Sequence, residues 1–348
     1  MLLYTSPFQY GKFYNGMKGK TEKNRSPVRM KYRIMFLVLT AVLSAAALNP
    51  SYVSAQTTFA FVQYEIDIET YAGPEVFKSD MKKIVRSAVQ SGAECVVFPE
   101  YTNVFLATFP FAEELAAVLS MEEGLLLIQS RFGKESDLRD FFLLQAPEVR
   151  KIMDNVWGGL AAEYNVWIAA GTAFASGNTD TGGLYNRLYI YNPAGKLSYT
   201  QDKVYLTPFE SGVIGLDSGN LKDSRTIEIG DIECGFTICR DTFFDEWEQL
   251  FGQVDVWIDV KANGAEFNRQ TEELFRRALP ERISQSDAAG GATVCLTGSF
   301  LELFWEGRSS IILKDFGQEG YKVVREARSA LGQEILFWTF GGEADLQP

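Results

Sequence analysis

The sequence predicts an α/β sandwich with two packed sheets. A β–α–β unit opens the region after the leader, hairpin pairs recur further along, and no linker divides the chain into two domains. Parallel β–α–β units mixed with hairpins are the pattern of such a sandwich.

Thr58–Ile66 is apolar and aromatic, and reads as the first strand. Ser79–Ser91 places Met81, Ile84, Val85 and Ala88 at helical spacing, and Gly92 ends that helix. Cys95–Phe98 is a short apolar strand stopped by Pro99, which delivers Glu100 to its C-terminal edge. In α/β sheets ligands bind at that edge. Ala112–Ser130 and Pro147–Tyr164 carry the helical period, with the charged stretch Gly133–Asp140 between them. Val166–Thr172 reads as a strand, and Asn186–Tyr191 pairs with Lys196–Thr200 across Asn192-Pro193-Ala194-Gly195. Arg225–Ile229 and Ile232–Ile238 form a second pair. Asp245–Phe251 reads as a short helix, Val254–Val260 as a strand, Thr271–Ala289 as a helix and Thr293–Thr297 as a strand. Ser309–Lys314 and Tyr321–Glu326 form a last hairpin around Phe316-Gly317.

Composition narrows the function. With 46% hydrophobic and 22% charged residues the 348-residue chain is globular, neither disordered nor fibrous. Of 33 Lys/Arg and 45 Asp/Glu, eight and one fall within residues 1–55, so the remainder carries −19. Such a surface repels nucleic acid and anionic membranes. The chain contains 0 His. That excludes a Ser-His-Asp triad, a Cys-His pair and a His-ligated metal, and leaves a carboxylate, Lys, Tyr or Cys as any catalytic base.

The N-terminus reads as a leader. Met30–Arg33 is a basic n-region, Ile34–Leu48 an apolar run, and Val53-Ser54-Ala55 a small-x-small cleavage site. Segment 30–55 is thus expected to be a signal peptide cut after Ala55, exporting the remainder to the periplasm or medium. Its run is shorter than the about 20 apolar residues of a membrane span. Residues 1–29 are polar and non-periodic, and read as a misplaced start or a disordered leader before a single domain at 56–348.

Three segments carry candidate chemistry: Phe98-Pro99-Glu100-Tyr101, Asp202-Lys203-Val204-Tyr205-Leu206-Thr207-Pro208-Phe209-Glu210, and Gly235-Phe236-Thr237-Ile238-Cys239-Arg240-Asp241. Each alone has an ordinary explanation: a solvated turn carboxylate, a surface lysine, a small core thiol. In this order they resemble the nitrilase superfamily, whose motifs are a strand ending in Glu, a Lys followed by a Leu-x-Pro segment and a second Glu, and a strand ending in Cys. Asn186–Gly195, Trp305–Ile312 and Asp315-Phe316-Gly317 resemble supporting segments of the same superfamily, and the resemblance spans residues 58–328.

The resemblance implies a four-layer α-β-β-α sandwich with two mixed sheets. It also implies hydrolysis of a non-peptide C–N bond, in an amide or N-carbamoyl compound, with no cofactor or metal. Cys239 is the expected nucleophile, Glu100 the base and Lys203 the third catalytic residue. Glu210 is the expected second glutamate, orienting Lys203, or else a structural ion-pair partner. Arg240, through its backbone N–H, and Tyr101 are the expected oxyanion and substrate contacts. The Arg240 side chain has two readings, a contact to an acidic substrate group or a pairing with an Asp or Glu. A free thiol with pKa about 8.5 needs a base, and Lys203 offsets the charge that results.

The chain departs from the pattern at Arg240, at Thr242-Phe243-Phe244, at Tyr205 and in the long segment 105–160, which bears on substrate rather than chemistry. Nitrile hydrolysis, acyl transfer and a non-catalytic binding protein are the alternatives. The resemblance further implies a homodimer or larger homo-oligomer. Cys95, Cys234 and Cys295 lie in apolar strand segments and read as buried thiols.

Overall fold

The computed structural model describes residues 56–342 apart from 116, 119, 134–136, 178–181, 316 and 318. The expected leader segments 1–29 and 30–55, and the tip of the last hairpin at Phe316, lie outside the described residues.

Thirteen strands follow in chain order: β1 Thr57–Ile66, β2 Cys95–Val97, β3 Trp167–Ser176, β4 Leu184–Tyr191, β5 Leu197–Asp202, β6 Ile227–Ile229, β7 Ile232–Ile238, β8 Val256–Lys261, β9 Gly290–Phe300, β10 Leu303–Trp305, β11 Ser310–Lys314, β12 Tyr321–Glu326 and β13 Glu334–Phe340. The first sheet runs β5-β4-β3-β2-β1-β13 and the second β6-β7-β8-β9-β11-β12. Both are mixed. β1, β2 and β3 pair in parallel, as do β7, β8 and β9, and the other pairings within each sheet are antiparallel. The end of β1 also pairs with β9, from Tyr64↔Leu296 to Ile66↔Gly298, which makes the sheets continuous along one seam.

Strand alternation builds the layers. Phe59 and Phe61 of β1 face the second sheet, packing with Val97, Leu188, Phe236, Ile258 and Val294. Ala60, Val62 and Tyr64 face outward onto helices. Those helices are α1 Pro74–Gln90, α2 Met121–Phe132, α3 Leu138–Met153 and α4 Gly159–Tyr164. Behind the second sheet, α5 Arg269–Arg276 leads into α6 Leu279–Gln285, whose Leu279 and Ile283 pack with Trp257, Trp247 and Phe251. The result is the four-layer α-β-β-α sandwich. Each buried Leu, Ile, Val or Phe contributes about 1.5–3 kcal/mol to it.

Several boundaries differ from the expected ones. The helix expected over Ala112–Ser130 is broken into Ala112–Leu115 and α2, because the Ser120 hydroxyl accepts from Glu123 N–H and starts a new helix. The helix expected from Pro147 begins at Leu138 under the Asp137 cap, with Pro147 inside it, and a wide π turn at Asp154–Gly158 carries it into α4. The helix expected over Thr271–Ala289 breaks between Arg276 and Leu279. β10 and β13 were not foreseen; β13 pairs antiparallel with β1 from Thr57↔Phe340 to Gln63↔Glu334.

One glycine decides how the first motif sits. Gly171 in β3 has φ +72, and a Cβ there would meet the Pro99 carbonyl oxygen at 2.0 Å. Only glycine lets the turn after β2 lie this close to β3.

Candidate active site

The C-terminal ends of β2, β5, β7 and β8, with the start of β4, meet at one edge of the sandwich. This edge is where α/β sheets bind ligands.

The turn after β2 is pinned to β3. Tyr101 N–H donates to Thr172 Oγ1 at 2.8 Å, and Asn103 Nδ2 donates to the Ala170 carbonyl at 2.7 Å. Tyr101 itself sits at φ 65, in the left-handed region. Glu100, immediately before these anchors, is fully buried. Lys203 follows β5, and its N–H donates to the Asn186 carbonyl on β4 at 2.8 Å. Cys239 follows β7 at φ 53, a conformation that costs a non-glycine residue on the order of 1–3 kcal/mol and clusters at functional sites. Asp241, two residues on, accepts from Val204 N–H at 3.1 Å and Tyr205 N–H at 2.7 Å. That side chain ties the turn carrying Cys239 to the loop carrying Lys203.

The centre is one buried ammonium between two buried carboxylates. Lys203 Nζ lies 2.8 Å from Glu100 Oε1 and 2.8 Å from Glu210 Oε2. Asn186 Nδ2 donates to Glu100 Oε1 and to Glu210 Oε1, both at 2.9 Å. Tyr101 OH donates to Glu210 Oε1 at 2.8 Å, and Thr207 N–H to Oε2 at 2.8 Å. The other oxygen of Glu100 accepts from Ala262 N–H, just after β8, at 2.9 Å.

These contacts divide the roles of the carboxylates. Burial pushes Glu100 above the ordinary carboxylate range, with Lys203 opposing and Glu210 adding to the rise. Burial also pushes Glu210 up, but Lys203, the Thr207 N–H and Asn186 outweigh it and hold its carboxyl low. Lys203 is held well above its ordinary value, because Glu100, Cys239 and Glu210 outweigh its burial. The Cys239 thiol is pushed up to about 12 by burial and by the charge of Glu100, with Lys261 and Lys203 opposing. The resting arrangement is a neutral thiol beside a carboxyl with raised proton affinity and a permanent ammonium.

All four cysteines are free, and Cys239 alone is not fully buried. Cys95, Cys234 and Cys295 are the buried thiols expected. The Arg240 guanidinium forms no ion pair with an Asp or Glu among the described residues. It donates to the Leu206 carbonyl and lies 5.9 Å from the centre of the Phe244 ring, engaging backbone and ring rather than a carboxylate. Among the described residues, no cluster of three or more Cys, Asp or Glu has an arrangement that holds a metal.

Four participants were not foreseen. In sequence Asn186 stands only as part of a strand and Asp241 only as the end of the Cys239 motif, and the Ala262 N–H carries no side-chain signal. The fourth is the pair Asp259 and Lys261 on β8, an ion pair of 3.0 Å whose lysine donates to the Cys239 carbonyl at 3.3 Å. A signal for it existed: opposite charges two residues apart in Val256–Lys261 share one face of a strand that is otherwise apolar.

Comparison with known proteins agrees with this architecture. The sequence matches the carbon-nitrogen hydrolase family over residues 58–266. Among solved structures, a mutant of the amidase from Nesterenkonia sp. AN1, of the nitrilase superfamily, aligns over 85% of this chain and 95% of its own, with 13% identity and TM-score 0.57. A double mutant of that amidase in complex with acrylamide aligns over 86% and 95%, with 13% identity and TM-score 0.58. Glutamine-dependent NAD+ synthetase from Acinetobacter baumannii aligns over 83% of this chain and 46% of its own, with 16% identity and TM-score 0.56. No curated protein sequence matches significantly. The fold is that of the nitrilase-type α-β-β-α hydrolases. The chain belongs to the carbon-nitrogen hydrolase family.

Proposed function

We propose that this protein hydrolyses the C–N bond of a small-molecule amide through a thioester on Cys239. The observation that carries this reading is the fully buried Glu100–Lys203–Glu210 cluster at the strand edge where Cys239, the one cysteine with solvent access, is held at positive φ. Burying an ammonium and two carboxylates is costly, and replacement by apolar residues is often neutral or stabilising, so structure alone gives little reason for the cluster.

The steps follow from proton affinities. As the Cys239 sulfur bonds to the amide carbon, its proton passes to Glu100, whose raised pKa suits it to take that proton and later release it. The amide π electrons move to oxygen, and the Lys203 ammonium meets the resulting oxyanion. Arg240 N–H, in the turn Cys239–Phe243, is the second donor, since the first N–H groups of a helical turn lack intrahelical partners. The C–N bond breaks and Glu100 gives its proton to the departing amine. Water then attacks the thioester, Glu100 takes its proton and returns it to the leaving thiolate. Glu210, fixed by Tyr101, Thr207 and Asn186, keeps Lys203 protonated and in place.

An amide is favoured over a nitrile because one protein of this fold, the amidase from Nesterenkonia sp. AN1, is seen in complex with acrylamide in one structure and with butyramide in another. Ammonia release by the purified protein beside Cys239→Ala tests this, using aliphatic amides, ω-amides, N-carbamoyl amino acids and nitriles. Release from an amide that vanishes in the variant supports the proposal. Turnover of nitriles alone, or release that survives Cys239→Ala, overturns it.

The leader at 30–55 supports export of this enzyme, and the superfamily supports a homo-oligomer. Recovery of protein starting at residue 56 outside the cytoplasm tests export, and sedimentation tests assembly. Among the described residues no helix is long and apolar enough to cross a membrane.

A further inference from the structure

Beside the Glu100–Lys203–Glu210 cluster lies a cavity of about 90 Å3, several times the roughly 10–15 Å3 that one water requires. Its wall is made by the long segment 105–160, with Phe105, Leu125 and Phe142, together with Leu301 of the β9–β10 turn and Trp305 at the end of β10. Two lining residues adjoin the site directly. Tyr101 follows Glu100, and Phe209 precedes Glu210. The Tyr101 ring packs edge-on against Phe174 and Trp305, with centroids 5.6 and 6.4 Å away, while its hydroxyl donates to Glu210.

Among the described residues, the lining carries no charged side chain. The Tyr101 hydroxyl is engaged with Glu210, and the Thr108 hydroxyl donates to the Phe105 carbonyl at 2.7 Å. Arg240, a cation next to Cys239 in sequence, is held by the Leu206 carbonyl. A carboxylate or ammonium on the substrate would lose its water in this cavity and gain no partner, a penalty of several kcal/mol in other proteins, so N-carbamoyl amino acids and ω-amides of amino acids do not suit it.

We propose that this cavity binds the apolar part of the substrate, and that the enzyme prefers amides bearing an uncharged alkyl or aryl group of medium length. The proposal rests on the amide-hydrolase reading above. It gives segment 105–160 a role: its helices supply the apolar wall that sets the acyl preference. Burying each methylene is worth about 0.8 kcal/mol, or roughly fourfold in affinity, so selectivity rises steeply along a chain-length series until the cavity is full.

The test has two arms. In the first, ammonia release is measured for acetamide, butyramide, hexanamide, octanamide and succinamate. The expected result is kcat/KM rising about fourfold per methylene from acetamide toward hexanamide, with succinamate poorest. In the second, the same amides are titrated calorimetrically into Cys239→Ala, which reads binding whether or not turnover occurs. Leu301→Asn makes the wall polar at a position with φ 52, where asparagine is well tolerated. Leu125→Thr does the same from α2. Each should remove most of the hexanamide preference, and a thermal melt matching the unsubstituted protein shows that the variant is folded. Affinity that is flat from acetamide to octanamide overturns the cavity proposal, even if ammonia is released. Chain-length-dependent binding without any ammonia release keeps the cavity and sinks the hydrolase reading.

Discussion

Lys261 and Asp259 form a 3.0 Å ion pair on β8, almost wholly excluded from water, and the lysine also reaches the Cys239 carbonyl. The Lys261 ammonium further lies 5.3 Å from the centres of both the Phe243 and Phe275 rings. Burial alone would favour the neutral forms of both residues. Asp259 outweighs this at Lys261 and holds it above its ordinary value, whereas at Asp259 burial outweighs Lys261 and holds the carboxyl above the ordinary range.

Removing one partner strands the other. Lys261→Met should destabilise the protein by about 3–5 kcal/mol, because Asp259 is left buried and unpaired. Adding Asp259→Leu should restore most of that loss. Urea midpoints of the two variants decide it, and a double variant as unstable as the single would show that the pair is not the source.

Activity should fall on the acid side at an unusually high pH. Glu100 must be ionised to accept the thiol proton, and burial raises its pKa above the ordinary 4.5. A raised value means protonation begins at higher pH, so kcat/KM is present above the raised pKa and is lost as pH falls through it. An acid limb at or below 4.5 would contradict the assignment of Glu100 as base.

Asn186 should matter through kcat. Its amide donates to both glutamates at 2.9 Å, and Asn186→Leu removes a donor from two charged acceptors. A hydrogen bond to a charged group is worth about 1.5–3 kcal/mol, so a tenfold to hundredfold loss of kcat is expected with KM little changed. A variant with normal kcat would show that Lys203 needs no help to hold its position.

Asp241→Ala should couple stability to activity. It leaves the half-buried Val204 and Tyr205 N–H groups without their acceptor, at up to about 1–3 kcal/mol each. It also frees the Lys203 loop from the Cys239 turn, so thermal stability and kcat should fall together. Asp241→Asn, which retains one acceptor oxygen, should lose less of both. A stable, fully active Asp241→Ala would overturn this link.

Much of the fold is written within short stretches of sequence. The boundaries of β7 and β11 follow from apolar runs between turn residues, and the apolar stretch Phe59–Val62 matches a β1 covered on both faces. Helix ends proved less legible, because they depend on single side chains. Ser120 and Asp137 each start a helix where periodicity alone suggests continuity or a later start. β13 escaped notice because its partner, β1, lies at the opposite end of the described chain.

The sequence by itself determined the α/β class, the order of the three motifs, and the residue types that any His-free amide chemistry must use. Tertiary structure decided which charges touch. Glu100 and Lys203 stand 103 residues apart and meet at 2.8 Å, and their proton affinities differ from the ordinary because both are buried. Propensity and periodicity act over a few residues. Desolvation and ion pairing depend on what the folded chain brings alongside, so the Asn186 bridge, the Asp259–Lys261 pair and the apolar cavity exist only once the sheets have closed on each other.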